Sequence, residues 1–235
     1  MLGPGEEVVT GTFEIHIFVM PFDPPQAKAD AFLAACRGDG EGTAAPMKGL
    51  LLNLDYVGRG FVGVLQSSRY VRGTLDDAKR GAATDADILR ANGFDVVRTK
   101  IEAVSTNPGV PQTMQDAGKS PSDRYFEFHL LIDAHDGRPI SNESVGSLRA
   151  IAYAMSDRLM SPVPLSYNAL KPGQRFLNFR ARNVGLEDAM RDVRALQAEI
   201  EKTGALCVIK VIAEYICYDD NPAIDSGWLE PPLRS

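Results

Sequence analysis

The sequence predicts an α+β protein built as a tandem duplication of a βαββαβ unit, with antiparallel sheets each carrying helices on one face. Three observations predict this. The strings Phe13-Glu14-Ile15-His16-Ile17 and Phe126-Glu127-Phe128-His129-Leu130 set a Glu and a His two residues apart among bulky apolar residues. Strand side chains alternate between faces, so each string places its acid and imidazole on one face and its apolar residues on the other. After each string, helical and alternating patterns follow in the same order. Finally, Gly73-Thr74-Leu75-Asp76-Asp77-Ala78 matches Gly185-Leu186-Glu187-Asp188-Ala189 once one residue is dropped, and Gly93 then aligns with Gly204.

In the first copy, Thr12–Val19 alternates as a strand. Pro24-Pro25-Gln26 suits a helix start, and the helix would bury Ala29, Phe32, Leu33 and Cys36 before ending at Gly38. The Gly- and Ala-rich stretch Gly38–Pro46 reads as a loop. Leu50–Val57 and Phe61–Arg69 form a hairpin around Gly58-Arg59-Gly60. Thr74 is a helix N-cap, with Asp76 and Asp77 near the positive end of the helix dipole. That helix runs to about Asn92 and stops at Gly93. Asp95–Val104 is the fourth strand.

In the second copy, Arg124–Ile132 is the first strand. Ser141 opens a helix whose Val145, Leu148, Ala152, Met155 and Leu159 form a helical stripe. Pro164–Leu170 and Gln174–Arg182 are strands around Lys171-Pro172-Gly173. A second helix follows, with Leu186, Ala189, Met190, Val193, Leu196 and Ile200 on one face, and Leu206–Tyr218 is the last strand. The expected division is residues 1–110 and 111–235. The second part would include most of the linker Ser105–Asp123, read as a connection or a flap, and the tail after Tyr218.

Composition sets the broad class. At 235 residues, 44% apolar and 24% charged, the chain has the balance of a soluble globular protein. A net charge of −6 disfavours nucleic acid as a partner. Residues 1–110 hold 14 acids and 11 bases, and residues 111–235 hold 17 and 14, so both halves carry −3. Cys36, Cys207 and Cys217 form no C-x-x-C pair, which fits buried thiols in a reducing cytoplasm. Neither a signal peptide nor an apolar membrane span is expected. The one G-x-G-x-x-G, Gly58-Arg59-Gly60-Phe61-Val62-Gly63, leads into a strand rather than a helix, and there is no P-loop, G-x-S-x-G or H-E-x-x-H, so a nucleotide-dependent kinase, a Rossmann dehydrogenase and an α/β-hydrolase are not expected.

The functional expectation follows from the faces. One face of the first copy gathers Glu14, His16, Arg98, Lys100 and Glu102. The corresponding face of the second gathers Glu127, His129, Lys210 and Glu214. First and last strands are neighbours in this topology, so acid, imidazole and cation come within cross-strand reach. The Glu–His pairs could simply set register. Alternatively, His16, His129, Glu14 and Glu127 are catalytic residues acting on a small molecule on an open sheet face. Arg98, Lys100, Arg180 and Lys210 would then hold an anionic substrate, and His16, His129, Glu102 and Glu214 would hold a divalent metal as cofactor. Arg69, Arg72, Arg180 and Arg182 lie near the N-termini of the second helices, where anions are favoured. A non-catalytic ligand-binding or assembly module is the alternative, and under either reading a second copy of the chain is a candidate partner in a homo-oligomer.

This order of elements resembles the tandem or dimeric ferredoxin-like α+β barrels. A His on a first strand and a Glu on a last strand is similar to the layout of duplicated α+β dioxygenases, although the second helix per unit differs from them. Paired histidines also resemble the two-histidine phosphoesterases. Those carry His-x-Thr or His-x-Ser, where this chain has Ile17-Phe18 and Leu130-Leu131 after its histidines. In the tail, Asp219, Asp220, Asn221 and Asp225 suggest a calcium loop by composition, without EF-hand spacing. Trp228, the only tryptophan, is expected to anchor the tail in a groove of the other lobe or of a second subunit.

Overall fold

The computed structural model describes residues 8–38, 46–56 and 58–229. Among them the chain is a mixed α+β protein with antiparallel strands and five α-helices. The order is β1 (Thr10–Met20), α1 (Gln26–Arg37), β2 (Lys48–Tyr56), β3 (Gly60–Thr74), α2 (Leu75–Ala91) and β4 (Asp95–Val104). A short helix α3 (Met114–Ala117) follows, then β5 (Tyr125–Ala134), α4 (Asn142–Leu159), β6 (Leu165–Asn168), β7 (Arg175–Arg182), α5 (Leu186–Glu201) and β8 (Leu206–Asp219). Most of the loop expected at Gly38–Pro46 falls outside the described residues.

The chain forms two compact units. Unit 1 comprises residues 1–52, 62–110 and 215–224; unit 2 comprises residues 53–61, 111–214 and 225–235. In unit 1 the strands lie in the order β2–β3–β1–β4, and in unit 2 in the order β6–β7–β5–β8. The strand carrying the Glu-x-His string is an inner one in each unit, β1 between β3 and β4 and β5 between β7 and β8.

Alternation works as the pattern requires. On the helix-covered face of β1, Phe13, Ile15 and Ile17 are fully buried, and α2 packs there with Ala78, Ala82 and Leu89. On β5, Phe126, Phe128 and Leu130 play the same part, with Phe128 stacked between Phe126 and Phe179 at 6.0 Å from each. Local chemistry sets the ends of α2. Thr74 and Asp77 form a capping box, and Gly93 adopts φ 79, a left-handed conformation that glycine adopts without steric cost.

The segment Ser105–Asp123, read from composition as a connection or flap, is tied down. Asn107 bonds the Thr12 backbone through both side-chain ends (2.7 and 3.2 Å), and Thr10 N–H donates to Pro108 O. Beyond Val110, Leu186 and Glu187 N–H groups donate to Pro111 O and Gln112 O (3.0 and 3.1 Å), joining this segment to the start of α5. Gly185 allows the approach, since a Cβ there would lie 2.6 Å from the Gln112 carbonyl oxygen. Gly185→Ala is expected to lower unfolding free energy by about 1–3 kcal/mol through overpacking, measured by urea denaturation.

Candidate functional site

The polar face of unit 1 is built by register. Across β1 and β4, Glu14 lies opposite Glu102, His16 opposite Lys100, and Phe18 opposite Arg98. Across β1 and β3, His16 lies opposite Ser68 and Phe18 opposite Gln66. The face was expected to be open, yet His16, Arg98, Lys100 and Glu102 are each 6% exposed or less. Burial is tolerated because the charges are matched within the face, since unpaired buried charges would be costly.

His16 is the hub of this face. Its Nε2 is 3.1 Å from Glu102 Oε2 and 3.7 Å from Glu14 Oε1, while Lys100 Nζ is 2.7 Å from the other Glu102 oxygen. Its Nδ1 lies 3.1 Å from Ser67 O, and the Gln66 amide is 2.5 Å away. An imidazolium donates from both nitrogens, to Glu102 and to Ser67 O, and a half-turn of the Gln66 amide offers its oxygen to the same Nδ1 proton. Ser68 Oγ–H donates to Glu14 Oε1. Burial alone would discharge this ring. The Glu102 charge and hydrogen bond, with Glu14 behind them, overcome it and lift the pKa from 6.5 to about 9, while Lys100 opposes them.

The sign of the pH effect follows. A pKa raised by folding stabilises the protein fully below the unfolded value of 6.5, and that stability fades as pH rises to about 9. The difference corresponds to roughly 3 kcal/mol. Unfolding free energy measured by urea titration from pH 6 to 10 should therefore fall across this window in the parent protein and stay flatter in His16→Gln.

Unit 2 repeats part of the arrangement. His129 Nε2 is 3.2 Å from Glu214 Oε2, and His129 Nδ1–H donates to Asn178 Oδ1 at 2.6 Å. Asn178 is fixed by its own bonds to Pro164 O and Ser166 Oγ, both 3.0 Å. Here the partner of Glu127 is a cation. Arg180, opposite it in register, reaches Glu127 Oε1 at 3.1 Å and Asp225 Oδ2 at 2.8 Å.

The other expected site residues are placed as follows. Arg98 holds Asp219 through two bonds (2.9 and 2.6 Å), so its charge is matched within unit 1. Lys210 is exposed on β8. Arg69 lies on the helix side of β3, bonded to Asp85 Oδ2 at 2.8 Å and Gly81 O at 3.0 Å. Arg182 lies 4.2 Å from the Tyr125 ring centroid. The acids of the tail serve protein groups: Asp219 binds Arg98, Asp220 accepts from Thr99 N–H, and Asp225 binds Arg180. Trp228 was expected on the other lobe or on a second subunit. It is buried within unit 2, its indole N–H donating to Leu165 O at 3.2 Å, in a cavity that Tyr56 of the first sequence half also lines.

One group among the described residues could hold a metal ion. Glu14, His16 and Glu102 each offer a ligand atom, and these atoms lie within 4.8 Å of one another. One imidazole and two carboxylates form a chemically reasonable set for a divalent ion. They fit it once His16 has released its proton. Glu14 is the member that sequence reasoning left out of the metal set.

The chain matches no family model and no curated protein. Among solved structures it is similar to a provisionally named monooxygenase from Fusobacterium nucleatum, at 8% identity and TM-score 0.33, covering 91% of this chain and 95% of that one. It is also similar to a heme-binding protein from Thermus thermophilus, at 12% identity and TM-score 0.30, covering 97% and 99%. Chlorite dismutase from Candidatus Nitrospira defluvii is a third, at 13% identity and TM-score 0.30, covering 89% and 92%. At these values the likenesses assign this chain no activity. No helix among the described residues is long and apolar enough to cross a membrane.

Proposed function

We propose that unit 1 transfers a proton on a small molecule, with His16 as the acid. Glu14 and Glu102 hold the imidazolium, and Lys100 sets the local charge. The observation that carries this reading is the convergence of two carboxylates, an imidazole and an ammonium on one buried face, with neighbouring atoms 2.7–3.7 Å apart. A fold gains little from burying four charges when apolar residues would serve. Clusters that shift a pKa this far are concentrated at functional sites. The His129–Glu214 pair of unit 2 is a second, more exposed candidate. The repeated element order and the repeated His–Glu pairing support descent of residues 1–110 and 111–235 from one copied module.

Reagent access separates this site from a structural knot. Diethyl pyrocarbonate should modify His16 in the native protein, read by peptide mass spectrometry, with a rate that rises towards pH 9 as the ring loses its proton. Modification of His16 only after unfolding would contradict the reading.

Metal binding is the second reading, favoured by the grouping of Glu14, His16 and Glu102. The bound ion would supply Lewis acidity beside the same residues. Calorimetric titration with Zn²⁺ or Mn²⁺ should then show one ion bound with proton release, lost in His16→Gln. An absence of uptake at pH 8 would dismiss this reading and leave the first one standing.

A further inference from the structure

We propose that unit 2 holds a second, separate binding site for a small aromatic carboxylate, formed by Tyr56, Trp228 and Arg149. It is a cavity of about 390 Å³, walled by Tyr56, Pro162, Pro164, Leu165 and Trp228, with Asp55 and Arg149 also lining it. All of these residues belong to unit 2. The volume falls within the range of small-molecule sites, roughly 300–1,000 Å³, which are mostly apolar with a few placed polar groups.

The walls are fixed before any ligand arrives. Tyr56 and Trp228 are 7% and 6% exposed, and the indole is pinned by its bond to Leu165 O. Ser156, which also lines the cavity, donates to Ala152 O at 2.7 Å and accepts from Val163 N–H at 2.9 Å, so its hydroxyl is occupied. The polar reader is therefore Arg149. Asp55 takes its Nε–H and one Nη2–H (2.6 and 2.8 Å), which orients the guanidinium and leaves the Nη1 edge for a ligand acceptor.

Charge favours an anion. The Arg149 and Arg175 guanidiniums lie 5.4 and 5.8 Å from the Phe61 ring centroid, and Arg175 lies 4.5 Å from that of Tyr167. Asp55 pairs with Arg149, while Arg175, beside the lining rather than in it, donates to the Pro172 and Gln174 carbonyl oxygens (2.7 and 2.8 Å) and so adds positive charge near the cavity. A flat ring suits the aromatic walls, and a carboxylate suits the free guanidinium edge.

Trp228 is the only tryptophan, so its fluorescence reports this cavity alone. The probes are phenylacetate, benzyl alcohol and benzylamine, which share a ring and differ in charge. Phenylacetate should change the emission saturably, with a dissociation constant on the order of 1 mM. Benzyl alcohol should bind roughly tenfold more weakly, and benzylamine more weakly still. Arg149→Gln alters a half-exposed side chain; it should weaken phenylacetate about tenfold and leave benzyl alcohol unchanged. Ala152→Leu, which narrows the cavity, should weaken all three. Saturation by none of the probes, equal binding of all three, or preference for benzylamine would overturn the proposal. Each of these readings is independent of His16.

Discussion

Arg180→Met should lower unfolding free energy by about 3–5 kcal/mol at pH 7, the typical cost of removing one partner from a buried ion group. Arg180 is 8% exposed, and its two carboxylates, Glu127 and Asp225, are 1% and 4% exposed. Burial opposes the guanidinium charge, but Glu127 and Asp225 outweigh it and hold the pKa above the ordinary arginine value. Methionine fills much of the volume, so the loss reports charge rather than a cavity. Without Arg180, the two acids are stabilised by taking up protons, so the deficit should shrink as pH falls towards 4. Urea denaturation at pH 4 and pH 7 measures both values. A deficit below 1 kcal/mol at pH 7 would mean that this cluster contributes little to holding β5, β7 and the tail.

Glu102→Gln should cost about 3 kcal/mol and should also lower the His16 pKa. Glu102 is 1% exposed and serves His16 and Lys100 together. The amide keeps the shape and loses the charge that offsets the burial of both cations. Stability should therefore lose much of its dependence on pH between 6.5 and 9, the window set by His16. A variant of parent stability with an unchanged pH profile would assign the His16 charge to another partner.

Local features of the fold were legible where local chemistry decides them. The apolar alternation of Phe13, Ile15 and Ile17 marked a covered strand face, and Thr74 and Gly93 marked the ends of α2. The same period-two logic placed Glu14 and His16 together, and neighbouring strands brought Glu102 and Lys100 to them. What the pattern could not give was the distant counter-ion. Arg98 and Asp219 are 121 residues apart, and Arg180 and Asp225 are 45 apart. No periodicity links such positions, so the acids of the tail were not read as ion-pair partners and the arginines read as substrate holders. The facing of Arg69 shows the cost of a one-residue difference in parity. It lies opposite Ile15, on the helix side, where it meets Asp85. The aromatic pocket of unit 2 was invisible for a similar reason, because Tyr56, Arg149 and Trp228 come from three distant segments.

The central claim is that His16 is held charged by the two acids beside it. An NMR titration of the His16 ring from pH 5 to 10, in the parent and in Glu102→Gln, tests it most directly. The account predicts a midpoint near 9 in the parent and a clear drop in the variant. A parent midpoint at or below 6.5, the ordinary histidine value, would contradict it.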